Sequence, residues 1–410
     1  MFIKKVAESY SGMPKEAKYV TLAAVMPSLA YGLLYTDLSY LLTVVQGMSA
    51  EFMGLVITLM GVSTFVASIF LGVVADLYGR KRVLIIGNVL SSMIIAVFAL
   101  TTNPALLLIA AVLQGISEAA IIASSNALLS DKVQDDKRTS VFSFYGFAQN
   151  IAYGLGSLAI SAVIIFEALG LNVQESHVLL YVLISATSLT SIVFMTKVEE
   201  SKSLKKLGGN LRDLLPRKSK GVVAKYVLTG GLIAFGAGMV VPLMTFWFNL
   251  RYGISDSVSA VIIAVSGILI GLAILVAPIV AKKFGLIKAI VITQISSMVF
   301  MFAIPFSSSF VLAGTIYSLR ALLMNMSNPL SQSMIMGLVN KEDRGTVSGI
   351  SGAIWRLPNS VGSSIGAVVM GLGLLYEPFF IGGMFYIVSI ILFWVFFRAT
   401  KMPEEQTQKN

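Results

Sequence analysis

The chain of 410 residues contains no cysteine. Disulfides, thiol nucleophiles and thiolate metal sites are therefore excluded, and cysteine usage says nothing about the redox compartment. Histidine occurs once, at His177. That removes His-rich metal sites and nearly all histidine-based catalysis, so no metal and no cofactor is expected. Charge is also scarce. Asp, Glu, Lys and Arg make up 12% of the residues, about half of the roughly 25% usual in soluble domains. No G-x-x-x-x-G-K-[ST] run is present, so nothing in the chain points to ATP-driven work. No apolar segment pairs a serine with a histidine or gathers a His–Asp/Glu metal cluster, which argues against an intramembrane enzyme.

What fills the chain instead is apolar: 56% of the residues are hydrophobic, more than a soluble core of this size takes in, and lipid is the natural solvent for the excess. A spanning helix needs about 20 mostly apolar residues. Spans are expected near 18–46, 51–75, 83–101, 105–130, 139–166, 177–196, 222–249, 257–281, 287–306, 309–338, 345–374 and 378–398. The net charge of +10 falls between these runs, so it reads as membrane topology rather than nucleic-acid binding. With the N-terminus in the cytoplasm, every one of the 30 lysines and arginines except Arg251, Arg320 and Arg356 lies in a cytoplasmic segment. The positive-inside rule then puts both termini in the cytoplasm and requires an even number of spans. No cleavable leader stands out before the first long apolar run.

The sequence repeats itself. Sliding it so that Gly47 falls on Gly253 also brings Ser49 onto Ser255, Gly61 onto Gly267, Gly79 onto Gly285, Arg138 onto Arg344, and Gly156–Ser157 onto Gly362–Ser363, without a gap. These are turn and close-packing positions, where backbone geometry restricts the residue. The offset equals six spans, so the halves point the same way through the membrane, as parallel repeats around an axis along its normal. The expected fold class is all-α integral membrane: twelve transmembrane helices in two pseudo-symmetric six-helix halves, 1–197 and 221–410. The polar stretch 198–220 between them reads as a cytoplasmic linker, with room for a short surface helix around Asn210 to Leu215. Its basic residues suit anionic headgroups.

The loop after the second span reads Gly72-Val-Val-Ala-Asp76-Leu-Tyr-Gly79-Arg80-Lys81-Arg82. It resembles the signature loop of the major facilitator superfamily, G-x-x-x-D-R/K-x-G-R-R/K-R/K. Leu77 departs from the pattern, and the second-half copy, Pro278 to Lys288, is degenerate. The resemblance implies the twelve-helix transporter fold, alternating access, and a cytoplasmic gate built from Gly72, Asp76, Gly79, Arg80, Arg82 and Arg138. In that gate Asp76 would pair with an arginine, Arg138 being the candidate at hand, and face the N-terminus of helix eleven. The plainer reading is that Arg80 to Arg82 only fix topology. Two motifs of the superfamily's antiporters are missing: Ala111 stands where an arginine precedes Gln114-Gly115, and the fifth span lacks a Gly-Pro step.

Four ionisable residues interrupt the spans: Asp37, Glu118, Arg320 and Arg356. A charge at the bilayer centre costs roughly 2.5–3.5 kcal/mol on insertion scales, so such residues face protein or water. The resemblance implies a cavity lined by helices one, four, seven and ten, flanked by two, five, eight and eleven; all four charges fall on this set. Polar residues recur on single helical faces, and the expected substrate cavity takes in Gln114, Gln149, Asn150, Tyr153, Arg320, Asn328 and Arg356. Glu118 and Asp37 are the candidates for proton coupling, Glu118 the more central. The competing reading is that the two acids and two arginines form fixed ion pairs. The arginines equally suit an anionic substrate. Pro358 is a candidate hinge. Trp247 is expected to anchor at the interface, and His177 to sit solvated in an external turn.

The expected function is secondary active transport of a small organic solute, proton-coupled, leaning to export of an amphipathic, drug-like molecule. The alternatives are an organic anion or sugar-like metabolite, or a transport-dead receptor of the same fold. The expected setting is the cytoplasmic membrane, as a multi-pass monomer whose partners are the substrate, protons and the lipid bilayer, with no nucleic acid.

Overall fold

A computed structural model describes residues 13–133, 138–200, 219–339 and 344–400. Their secondary structure is helical, with no strand among them. The first half holds α1 (Lys15–Tyr40, continued by a π-helical turn, Leu41–Val45), α2 (Ala50–Tyr78), α3 (Arg80–Leu100) and α4 (Pro104–Asp131). It continues with α5 (Arg138–Ala159, then Ala162–Ala168) and α6 (Val173–Ser188, then Ser191–Met195). The second half holds α7 (Lys220–Gly238, then Met244–Tyr252), α8 (Asp256–Phe284), α9 (Leu286–Ala303), α10 (Phe310–Leu338), α11 (Arg344–Gly371) and α12 (Glu377–Phe397). Eleven of these are long and apolar enough to cross a membrane. The other, α11, has 28 residues, about 42 Å at the helical rise, which exceeds a hydrocarbon core of about 30 Å; its serines, Asn359 and Arg356 dilute its apolar content. The expected Asn210 to Leu215 helix lies outside the described residues.

Local chemistry sets the helix starts. Ser49 accepts from the Phe52 amide at the head of α2, and Ser309 from Leu312 at the head of α10. Asn103 accepts from Ala105 and Leu106, with Pro104 at the first position of α4. Asn172 and Glu175 close a reciprocal capping box on α6. Each satisfies amides that the helix leaves unpaired. The repeat reappears in the turns. Gly47 and Gly253 both sit at φ 67°, and Gly79 and Gly285 at φ 108° and 81°. A side chain is strained in this left-handed region, which is why glycine survives at both copies.

The chain divides into two compact units. Unit 1 comprises 1–205 together with 255–267, the head of α8; unit 2 comprises 206–254 and 268–410. Within each, one seam of backbone contact recurs. In unit 1, a Cβ on Gly32 would fall on the Tyr153 carbonyl, and one on Gly156 on the Leu29 carbonyl. In unit 2, Gly238 meets the Asn359 carbonyl and Gly362 the Phe235 carbonyl in the same way. Ser157 donates to the Gly32 carbonyl at 3.2 Å, and Ser363 to the Gly238 carbonyl at 3.1 Å. Lipid tails are as apolar as leucine, so helices in a membrane gain little by burying apolar surface; close approach through glycine and serine takes over. The apolar bulk faces outward: Phe70, Ile86, Met93 and Met384 are each more than half exposed.

Candidate functional site

Unit 1 buries two separate polar clusters. The first surrounds Glu118, which is 4% exposed. Tyr35 of α1 donates to Glu118 Oε2 at 2.7 Å, and Thr64 of α2 donates to the same oxygen at 3.3 Å. One turn earlier on α4, the Gln114 amide donates to Ser91 of α3 at 3.0 Å, and Ser91 bonds the Tyr31 hydroxyl at 3.2 Å. Tyr31 and Tyr35 stack with ring centroids 6.0 Å apart. Four helices therefore lend hydroxyls and an amide to one buried carboxylate and its surroundings. Such bonds hold a carboxylate in place.

The second cluster lies at the far end of the unit from the N-terminus, where α1 finishes and α6 and α8 begin. Asp37, His177 and Asp256 are 0%, 0% and 1% exposed. His177 Nδ1 lies 2.7 Å from the Val173 carbonyl; a carbonyl only accepts, so Nδ1 carries the proton. That aims Nε2 at Asp256 Oδ2, 2.9 Å away, and leaves it 3.9 Å from Asp37 Oδ1. Tyr181 donates to Asp37 Oδ2 at 2.9 Å. The Tyr40 ring stacks over the imidazole at 6.5 Å. His177 was expected in a solvated turn; it is instead one turn inside α6 and wholly buried. A grouping of histidine with two carboxylates was not expected from the sequence, which placed His177 and Asp256 at the edges of their spans.

Arg320 is buried in unit 2, where it donates to the Tyr386 hydroxyl of α12 and lies 5.6 Å over that ring. Its Nε has no partner, and no carboxylate pairs with it among the described residues. Ser297 of α9 donates to its backbone carbonyl. Gln114 and Arg320, matched by the repeat, thus both point into the interior of their own unit, towards helices three and nine or twelve. Arg356 is half-buried. Gln149 and Asn150 bond within α5, to Tyr145 and the Gly146 carbonyl, and Asn328 donates to Asn325 on the exposed side of α10. The Pro358 ring lies 3.7 Å from where a Cβ on Gly231 of α7 would stand. Trp247 is 0% exposed and donates to the Leu375 carbonyl, so it is a core residue and not an interfacial anchor.

The side chains of Asp76 and Arg138 lie outside the described residues. Arg80 pairs with Asp131 at 2.6 Å, joining the head of α3 to the end of α4. The Glu200 carboxylate accepts from the amides of Lys81 at 2.9 Å and Arg82 at 3.2 Å, and it fills the space a Cβ on Gly79 would need. An anion at a helix N-terminus satisfies orphan amides and the helix dipole together. The sequence carried no sign of Glu200 in this role.

Known proteins supply the remaining comparison. The family model described as "Major Facilitator Superfamily" matches residues 20–362 and 227–410. Multidrug resistance protein 2 of Bacillus subtilis (strain 168) is 22% identical over 351 residues, 84% of this chain and 86% of that protein. The multi-drug resistance efflux pump PmrA homolog of Lactococcus lactis subsp. lactis (strain IL1403) is 31% identical over 110 residues, 27% of each chain. Among solved structures, the nucleoside transporter NupG superposes with a TM-score of 0.71 at 14% identity, covering 94% of this chain and all of that one.

Proposed function

The chain belongs to the Major Facilitator Superfamily, and from that premise we propose that it exports a small amphipathic organic solute by alternating access, driven by protons. It is a multi-pass membrane transporter rather than an enzyme; the proton coupling, the direction and the solute class are our reading. The observation that carries the coupling is Glu118: a buried carboxylate on α4 held by hydroxyls from α1 and α2. The hydroxyls that hold it belong to other helices, so a change in helix packing changes the surroundings of the carboxylate. Tyr35 and Thr64 donate to it, and Gln114 lies one turn away on the same helix. The lean to amphipathic export is supported by the two multidrug relatives. The cytoplasmic membrane, cytoplasmic termini and a monomeric state complete the proposal.

The test is uptake of a labelled lipophilic cation into proteoliposomes under an imposed pH gradient, alongside counterflow without one. Glu118→Gln is expected to lose gradient-driven accumulation and keep counterflow. Full accumulation by Glu118→Gln refutes the coupling, and binding without counterflow points to a receptor. A second reading, an organic anion as solute, is favoured by Arg356, a half-buried guanidinium on α11, since a planar fork suits carboxylate. Inhibition of uptake by organic anions, removed in Arg356→Ala, is the outcome that establishes it.

A further inference from the structure

We propose that Asp37, His177 and Asp256 form a binding site for one divalent transition-metal cation, of the Mn2+, Co2+ or Zn2+ type, at the far end of unit 1. This does not rest on the transport reading above, since the site is separate from Glu118.

The arrangement of donors carries the proposal. Each of the three side chains has one polar atom held from outside the cluster and one pointing into it. Tyr181 donates to Asp37 Oδ2 at 2.9 Å. Val173 accepts from His177 Nδ1 at 2.7 Å. Ser257 donates to Asp256 Oδ1 at 3.3 Å. One ligand atom from each of the three side chains lies within 4.8 Å of those of the other two, and His177 Nε2 stands 3.9 Å from Asp37 Oδ1 and 2.9 Å from Asp256 Oδ2. Supporting bonds of this kind fix the orientation and tautomer of metal ligands, and a histidine ligand almost always donates its other nitrogen to a carbonyl or carboxylate.

A second observation points to a missing occupant. Asp37 Oδ1 is buried and accepts from no protein donor, and the Asp37 carboxyl stands within hydrogen-bond reach of the Asp256 carboxyl, so the facing acids need a shared proton or a cation between them. An oxygen left in that state carries the whole penalty of its lost solvation. A cation at the centre of the cluster satisfies it, and takes the place of the proton shared by Nε2 and Asp256 Oδ2. Distances agree. Ligands about 2.1 Å from a tetrahedral ion stand about 3.4 Å apart, and the Nε2 separations of 2.9 Å and 3.9 Å bracket that value. Two ionised carboxylates and a neutral imidazole carry the charge that a divalent ion cancels. One imidazole nitrogen with two oxygens suits Mn2+, Co2+ and Zn2+ better than Ca2+ or Mg2+, which prefer all-oxygen shells with more ligands.

The sequence makes the test unusually clean. The chain has one histidine and no cysteine, so a metal-bound imidazole in tag-free protein is that of His177. Full-length protein without an affinity histidine tract is stripped with chelator and equilibrated with Mn2+ or Zn2+. Bound metal is counted by mass spectrometry, and bound Mn2+ is examined by pulsed EPR for a directly coordinated imidazole nitrogen. About one equivalent per chain with nitrogen coupling is expected. His177→Gln and Asp256→Asn are expected to lose it at least tenfold, while the exposed variant Glu51→Gln keeps it. No binding of either metal, binding without nitrogen coupling, or binding unchanged in folded His177→Gln overturns the proposal. Should the variants fail to fold, the EPR of the unmodified protein decides.

Discussion

Tyr35 and Glu118 stand 2.7 Å apart across the interface of α1 and α4, the hydroxyl donating to the carboxylate. Tyr35 lies 83 positions earlier in the chain, so the bond exists only when the two helices pack as they do in unit 1. A hydrogen bond to a charged group contributes roughly 1.5–3 kcal/mol when its partner is removed. Tyr35→Phe is therefore expected to change the pH dependence of transport without abolishing counterflow. A pH profile of solute uptake in proteoliposomes checks this; an unchanged profile with intact uptake breaks the link between the bond and coupling.

Gly156 packs so that a Cβ would land on the Leu29 carbonyl, whereas Gly146, ten residues earlier on the same helix, has open space at that position. Overpacking a tight contact costs about 1–3 kcal/mol, and more where backbone must move. Gly156→Ala should lower the melting temperature in detergent clearly, and Gly146→Ala should leave it within error. Equal effects of the two would mean that helix propensity, not the seam, sets the cost.

Arg320 and Tyr386 predict an inversion. Removing the partner of a buried charge destabilises, while replacing the charge by an apolar side chain is often neutral. Tyr386→Phe leaves the guanidinium without its hydroxyl acceptor and should cost about 1.5–3 kcal/mol. Arg320→Met should cost less, and the double variant should resemble Arg320→Met alone. Thermal unfolding of the three proteins measures it. A Tyr386→Phe protein as stable as the parent removes the premise.

Glu200 predicts a local effect. Its carboxylate covers the Lys81 and Arg82 amides, and losing a cap of this kind costs about 1 kcal/mol. Glu200→Ala is expected to speed hydrogen exchange at those amides while the end of α3 is unchanged. Exchange unaltered at the head of α3 is the result against it.

Much of this was legible beforehand, for identifiable reasons. The twelve helices follow from long apolar runs, and the two halves from glycines that recur because φ is positive or backbone is near. Glu118 and Asp37 stood out because a carboxylate in an apolar run is costly enough to need a purpose. His177 was misplaced by a boundary error of a few residues: reading Asn172 and Glu175 as a capping box starts α6 at Val173 and carries His177 inside. Asp256 falls one position outside the expected span 257–281, although it is the first residue of α8. The tyrosines that bond Arg320 and Glu118 were not legible at all. Pairing tyrosines with charges across helices depends on how the helices rotate about their axes, and no spacing within one helix records that.

The seam of Gly32, Gly156 and Ser157, with its counterpart of Gly238, Gly362 and Ser363, has a consequence for ancestry. The two halves have drifted far enough that Gln114 stands against Arg320 and Glu118 against Met324 at matching positions. Yet the same small residues still press the same carbonyls in each. Two lineages arriving separately at one set of contacts, in one register, is the less economical history. The joint was already present in a six-helix forebear, and duplication copied it whole before the chemistry of the halves parted.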